Sequence, residues 1–581
     1  MNTQAMARLA VLAAGALLAA APAGAQARDP RIGLSAGWSD AGQAIRNLRL
    51  VSHSDRPQGF VNPAEMGDFG FANSDLAFSG NHVFQGNFNG FQVWDVSNPA
   101  RPRLRSSLVC SGGQGDVSVM GNLLFMSVEE TRGRVDCGTG GVQGASSADR
   151  FRGVRIFDIS NLDRPRQVAA VQTCRGSHTH TLVTDPDDRQ NVYVYVQGTS
   201  GVRPATELAG CSGATPQQDT ATSYFRIEVI RVPLARPQDA RIVNAPRIFA
   251  DAQTGNIAGL WPGGRHGEGT QQTATTNQCH DITVYPEIGL AAGACAGNGI
   301  LLDIRDAANP VRIDEVTDPN FAYWHSATFN NAGSTVLFTD EWGGGTQPRC
   351  RDSDKPEWGA DAIFTLNNRE LRQVGYYKLP APQTAQENCV AHNGSLIPVP
   401  GRDLMVQAWY QGGMSIFDFT DPAHPVEVAF FDRGPMNAQQ AVLGGFWSAY
   451  WYNGRIYGSE IGRGLDVFEL VPSEYLSQNE IDAAKLVRMR EFNPQLQERW
   501  TWPAHFSVAK AYVDQLARNG GMPATRTMRL QRDVAAAERA RGAARRTALT
   551  RIATELDGEA AGARDPEKVR ALAGVLRELA R

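Results

Sequence analysis

The chain has 581 residues, 42% of them hydrophobic and 20% charged, with 59 glycines and 31 prolines. That length can bury a large core, and so many turn formers favour a β-rich fold over a helical one. Lys and Arg number 56 against 60 Asp and Glu, a net charge of −4; this excludes a dedicated polyanion-binding body, and no nucleic-acid partner is expected.

Residues 1–25 read as a signal peptide: one Arg, an apolar stretch from Leu9 to about Ala21, then the small-x-small cleavage pattern Ala23-Gly24-Ala25. The apolar run is shorter than the ~20 residues a spanning helix needs. Residues 26–43 form a linker. No later segment is long and apolar enough to span, so the mature chain is expected in the periplasm or outside the cell, with no transmembrane segment. An oxidising compartment makes the eight cysteines candidate disulfides before free thiols or zinc ligands.

Four segments then superimpose without gaps: WDVSNPARP (94–102), FDISNLDRP (157–165), LDIRDAANP (302–310) and FDFTDPAHP (417–425). An apolar strand runs into each Asp and another follows each Pro, so the polar residues between them build a turn joining adjacent strands. Degenerate copies at 223–237, 361–380 and 464–475 fill the gaps, and two further strands precede each copy. Four strands per repeat predict an all-β, seven-bladed β-propeller over residues 44–470. The last copy lacks its fourth strand; the segment 44–54, AIRNLRLVSHS, is expected to supply it and close the ring.

The segments GFQVWDVSNPARP, GVRIFDISNLDRP and GMSIFDFTDPAHP resemble the bacterial LVIVD repeat of exported β-propeller proteins. The resemblance implies the fold and export and no particular reaction, because propellers host both enzymes and binding scaffolds.

Aligning the repeats places His180, His280, His325 and His392 in one register, each opening the innermost strand of four successive blades, with Ser74, Gly115 and Trp447 in that place elsewhere. Innermost strands line a propeller channel, so four imidazoles at one height would converge and could hold a transition metal, Fe, Cu or Zn. The ligand set is similar to the four-histidine iron site of carotenoid-cleaving oxygenases, although the repeat sequences are not alike. The competing reading is that these histidines only hydrogen-bond within their blades, as in WD-repeat propellers. His178 could replace His180 as ligand; His53, His82, His266, His424 and His505 fall outside the register and read as surface groups.

Glu341 and Glu460 end second strands and are expected at the channel mouth, as partners of ligand histidines or as an acid/base pair; Asp281 is a hydrogen-bond partner for His280. Cys110 and Cys174 hold equivalent loop positions, with Cys137 and Cys211 in the loops that follow; Cys279 opens a strand whose antiparallel neighbour Cys295 ends, and Cys350 and Cys389 lie in loops of the same face, so among the possible pairings 110–137, 174–211, 279–295 and 350–389 are preferred.

Residues 471–581 read as an α-helical extension. Ser477 and Glu480 are spaced as a capping box, Asp565 and Pro566 as a helix start, and Val569, Leu572, Leu576 and Leu579 form one stripe. The stretch 526–551 carries eight Arg against Asp533 and Glu538 and reads as a solvated helix face rather than a site for an anionic envelope surface. No P-loop, GxGxxG, HExxH, GxSxG, haem CxxCH or EF-hand pattern occurs. Two functions remain: a metal-binding propeller with redox or hydrolytic chemistry on a small molecule, or a non-enzymatic scaffold gripping a surface protein or polysaccharide.

Overall fold

The computed structural model describes residues 28–581, and the expected signal peptide at 1–25 lies outside the described residues. The fold is mostly β and β-propeller-like, with five α-helices near the C-terminus. Its recurring element is an antiparallel meander whose four strands are hydrogen-bonded in chain order. Asn73–Ser79, His82–Asn87, Gly90–Asp95 and Arg103–Val109 form one such sheet. Others run from His180–Asp185 to Arg241–Asn244, from Asp281–Tyr285 to Val311–Val316, and from Trp324–Phe329 to Glu370–Tyr377. First strands of neighbouring sheets lie against one another, and Phe446–Tyr452, which pairs in parallel with Asn393–Ile397 inside a nine-stranded sheet, lies against Asn73–Ser79. In the first of these sheets the first and second strands are closed to solvent almost throughout while Arg103–Val109 alternates with exposed residues, and Val311–Val316 is likewise part-exposed. Side chains such as Trp94, Leu404, Ile416, Trp451 and Phe468 fill the space between sheets, each worth roughly 1.5–3 kcal/mol of burial.

The recurring Asp has a physical cause. Asp95 Oδ1 accepts the Ser97 N–H at 2.9 Å and Asn98 Oδ1 accepts the Ala100 N–H at 3.1 Å, two Asx turns in succession. Asp158 and Asn161, Asp303 and Asp306, and Asp418 and Asp421 do the same. A register shift between third and fourth strands recurs with them, at Val93/Trp94, Leu301/Leu302 and Ile416/Phe417, a bulge that twists the outer strand.

The N-terminal segment pairs differently from the single strand expected over 44–54. Leu48–Asp55 pairs with Gly464–Leu470 as anticipated, but Gln43–Arg46 pairs with Val426–Arg433, so the two pieces form the opposite edges of one nine-stranded sheet. The break falls at Asn47, whose φ is 56° and whose amide donates to the Val428 carbonyl at 2.7 Å. Asn tolerates this left-handed conformation better than most residues.

The C-terminal region is not helical throughout. After Gln478–Ala484 (α1) the chain runs as a strap over 486–504 before Phe506–Arg518 (α2), Ala524–Arg539 (α3), Gly542–Glu559 (α4) and Pro566–Leu579 (α5). The strap crosses the ends of several first strands. Phe492 pairs with Phe78, and Gln495 and Gln497 exchange backbone bonds with Val284. The side chains of Asn493 and Gln497 each bond both the N–H and the carbonyl of one strand residue, Val119 and Phe329, while Asn331 does so to Trp500.

The helices have a core of their own, built from Leu516, Leu530, Val534, Leu549, Ile552, Leu556, Val569, Leu572 and Leu576. The capping box forms, and Glu480 additionally receives Arg402 from the last sheets and Arg518 from α2, which docks the helices on the β body. Within the arginine-rich stretch, Arg526 pairs with Glu555 and Glu559, and Arg551 with Asp533 and Glu555. No helix among the described residues is long and apolar enough to cross a membrane.

Candidate metal centre

All four register histidines stand where a first strand begins. His180 opens His180–Asp185, His280 precedes Asp281–Tyr285, His325 is second in Trp324–Phe329 and His392 precedes Asn393–Ile397. They are buried, at 0–3% exposure.

Three form a row. The ring centroids of His280 and His325 are 3.7 Å apart, and those of His325 and His392 4.3 Å. His178 extends the row, edge-on to His280 at 4.5 Å. His180 is not brought into it: Ser127 Oγ lies 2.8 Å and Asp116 Oδ2 3.2 Å from its Nδ1, so its ring braces the adjacent sheet.

Glu341 follows Thr335–Asp340 and meets the row. Its Oε2 is 3.8 Å from His325 Nε2 and its Oε1 3.6 Å from His392 Nε2. His325, Glu341 and His392 offer ligand atoms within 4.8 Å of one another, as do His280, Asp281 and His325. Asp281 Oδ1 lies 3.3 Å from His280 Nδ1. Glu460 is elsewhere, its carboxylate held by Arg463 at 2.8 Å and by the Gly462 N–H at 3.0 Å.

The protonation pattern suits a soft-to-borderline cation. His392 Nδ1 faces the Trp447 carbonyl, which only accepts, so the ring proton sits on Nδ1 and Nε2 keeps its lone pair. Burial drives His392 down to about 3, against the pull of that carbonyl, and drives His325 well below the ordinary histidine range, helped by its imidazole neighbours. Both rings are therefore neutral. Nε2 of His180, His325 and His392 are buried without a hydrogen-bond partner, a condition that costs about 1–3 kcal/mol per group unless something binds there, while His280 Nδ1 has only the Asp281 carboxylate beside it. Burial raises the Glu341 carboxyl, opposed by His280 and the Tyr410 phenol; Asp281 is held low by His280 in spite of its burial. Imidazoles with one or two carboxylates match Zn, Fe or Cu better than Ca or Mg, which prefer all-oxygen shells.

Two groups at the row are not among the expected site residues. Glu129 accepts from His178 Nδ1 at 2.7 Å; burial opposes protonation of this histidine, but Glu129 pushes it up to about 9. Its signal was present, since Glu129 ends a second strand in the place Glu341 occupies. The Tyr410 phenol donates to Glu341 Oε1, with its ring 4.4 Å from that of His392; nothing in the repeat marks it. Of the histidines expected at the surface, His53, His424 and His505 are exposed, His53 also reaching buried Asp466 at 2.7 Å, while His82 is half-buried and so is His266, which stacks on Trp261 at 3.7 Å.

The four bridges Cys110–Cys137, Cys174–Cys211, Cys279–Cys295 and Cys350–Cys389 are formed. Cys279 adjoins His280 and Cys389 lies three residues before His392, so the bridges fasten the loops that deliver the row.

Residues 72–109, the sheet with the paired Asx turns at Asp95 and Asn98, match the profile of the LVIVD repeat. The chain carries an LVIVD repeat. No curated protein matches the sequence. Among solved structures, a protein from Lactobacillus plantarum is similar at 11% identity over 62% of this chain and 82% of its own, with a TM-score of 0.37. Hydrazine synthase of Kuenenia stuttgartiensis is similar at 10% identity over 65% and 89%, with a TM-score of 0.39. The computationally designed Ika8 protein is similar at 8% over 69% and 96%, with a TM-score of 0.35. Likenesses this distant carry no functional argument, and the LVIVD repeat itself names no reaction, so the chemistry rests on the histidine row.

Proposed function

We propose that this LVIVD-repeat chain is an exported, seven-bladed β-propeller that binds one transition-metal ion, Fe, Cu or Zn, through His280, His325, His392 and Glu341. Residues 44–470 form the ring, 26–43 a linker and 471–581 the C-terminal extension, of which the strap is part. The observation that carries the reading is the row of His280, His325 and His392, in which the Nε2 atoms of His325 and His392 are buried without a partner and Glu341 lies within reach of both. Four disulfides support an oxidising compartment, periplasmic or extracellular.

A bound ion would supply Lewis-acid or redox chemistry to a small molecule. The chain's own contribution is orientation and proton placement. The Trp447 carbonyl fixes the His392 tautomer, and Glu129 holds a proton on His178 Nδ1 beside His280. His180, pinned by Ser127 and Asp116, favours the scaffold reading for that one residue; on that reading the disulfide-tied face would grip a surface protein or polysaccharide.

Elemental analysis of purified protein after exposure to Zn, Fe and Cu separates the two. About one equivalent is expected in the wild type, lost in His325→Ala and His392→Ala with unchanged circular dichroism. A wild type that takes up no metal, or variants that keep a full equivalent, would leave the scaffold.

A further inference from the structure

Tyr410 occupies an unusual conformation. It is 1% exposed and has φ 54°, in the left-handed region that a bulky side chain rarely enters. Two glycines make room for it. A Cβ on Gly345 would lie 2.2 Å from Tyr410 Cζ, and one on Gly445 would lie 2.0 Å from the Tyr410 carbonyl carbon. The backbone is pinned on both sides: the Tyr410 carbonyl accepts from Phe446 N at 2.9 Å and Gly413 N at 3.1 Å, and the Gln411 N–H donates to Asn388 at 3.0 Å. Next door, the Gln411 amide bonds Asn388 Oδ1 at 2.7 Å, and its carbonyl oxygen accepts the Met436 N–H at 2.7 Å. Such a backbone persists only where its surroundings over-determine it, and all of this aims one hydroxyl at one carboxylate oxygen, Glu341 Oε1.

We infer that Tyr410 is a positioning residue for the metal centre, occupying Glu341 Oε1 so that the carboxylate presents Oε2 alone as a single-oxygen ligand. This rests on the metal reading above. A carboxylate has two oxygens of equal basicity and can bind an ion through one or both. A phenol O–H bound to one of them removes a lone pair and fixes the plane of the group. The ring, packed on His392, sets that imidazole as well.

The test uses the full mature chain, stripped with chelator and titrated with Co2+, whose visible absorption reports coordination number and geometry. The wild type is expected to take about one equivalent. Tyr410→Phe keeps the ring and its packing; it should bind Co2+ about 10- to 100-fold more weakly, the usual cost of losing a group that orients a ligand, and with a changed spectrum as the second oxygen becomes free to coordinate. Gly345→Ala, which drives a methyl into the ring, should change the spectrum in the same direction. Glu341→Gln should also weaken binding, and the double variant Tyr410→Phe/Glu341→Gln should lose no more than Glu341→Gln alone, because the phenol acts only through that carboxylate. Wild-type affinity and spectrum in Tyr410→Phe, or fully additive losses in the double variant, would overturn the assignment while leaving the metal site standing. A wild type that binds no Co2+ would end the metal reading, and this assignment with it.

Discussion

The strap is held by side chains that imitate backbone, and this sets a measurable cost for cutting one. Asn493 Oδ1 accepts the Val119 N–H at 2.7 Å, and its amide donates to the Val119 carbonyl at 2.8 Å; Val119 is fully buried and Asn493 is 5% exposed. Asn493→Ala leaves both groups of Val119 without a partner. Each buried orphan costs about 1–3 kcal/mol, and water entering beside the shortened side chain recovers part of one, so a loss of about 2–4 kcal/mol is expected. Gln497→Ala does the same at Phe329, where the two bonds are 2.7 and 3.0 Å. Urea midpoints of the two variants give the loss, and hydrogen exchange at the Val119 and Phe329 amides localises it. Losses under about 0.5 kcal/mol in both, with unchanged exchange at these amides, would refute the claim that the strap is fastened this way.

Two further outcomes are expected. Replacing Cys350 and Cys389 by Ser opens a loop of sequence separation 39, against 16 for Cys279 and Cys295; chain entropy predicts losses of about 4 and about 3 kcal/mol, read as denaturation midpoints of the two paired variants. His53 has its pKa raised by the hydrogen bond to Asp466, against burial and Arg433. A raised group contributes stability that is full below its unfolded value of about 6.5 and fades as pH rises through its folded value. The gap in urea midpoint between wild type and His53→Gln should therefore be largest near pH 5.5 and shrink toward pH 8.5.

The repeat was legible because its Asp and Asn oxygens each satisfy a backbone N–H two residues on, a local device that leaves a fixed spacing in the sequence. Disulfide pairing was legible for a related reason: the repeat brings loops at one end of the sheets together, and it makes Cys279 and Cys295 neighbours on adjacent antiparallel strands. The histidine register was legible too, but not which rings converge. That depends on side-chain direction and local irregularity: the register slips between Trp324 and Ala327 beside His325, and Ser127 and Asp116 draw His180 away. Tyr410 left no trace, since its role comes from glycines at 345 and 445 that are remote in sequence. The strap was read as helix because Asn493 and Gln497 look like surface polar residues until the strands they bond are in place.

The two ends of the first strands have separate duties, and that separation is itself testable. In Trp324–Phe329 the ligand candidate His325 stands near the start, while the strap bonds Phe329 at the end. Four residues of extended chain place them ~13 Å apart, beyond the ~7–10 Å at which substitutions usually couple. Gln497→Ala should therefore lower the urea midpoint without changing the Co2+ spectrum, and Tyr410→Phe should change the spectrum without loosening the Phe329 amide. In the double variant the stability losses of the metal-free protein should add to within about 0.5 kcal/mol. A strap variant that alters the Co2+ spectrum would mean that the strap reaches the histidine row from the far end of the first strands. The route on hand is Gln495, whose amide lies 3.4 Å from buried Asp75. Gln495→Ala would then reproduce the spectral change, whereas with the two ends independent it leaves the spectrum as in the wild type.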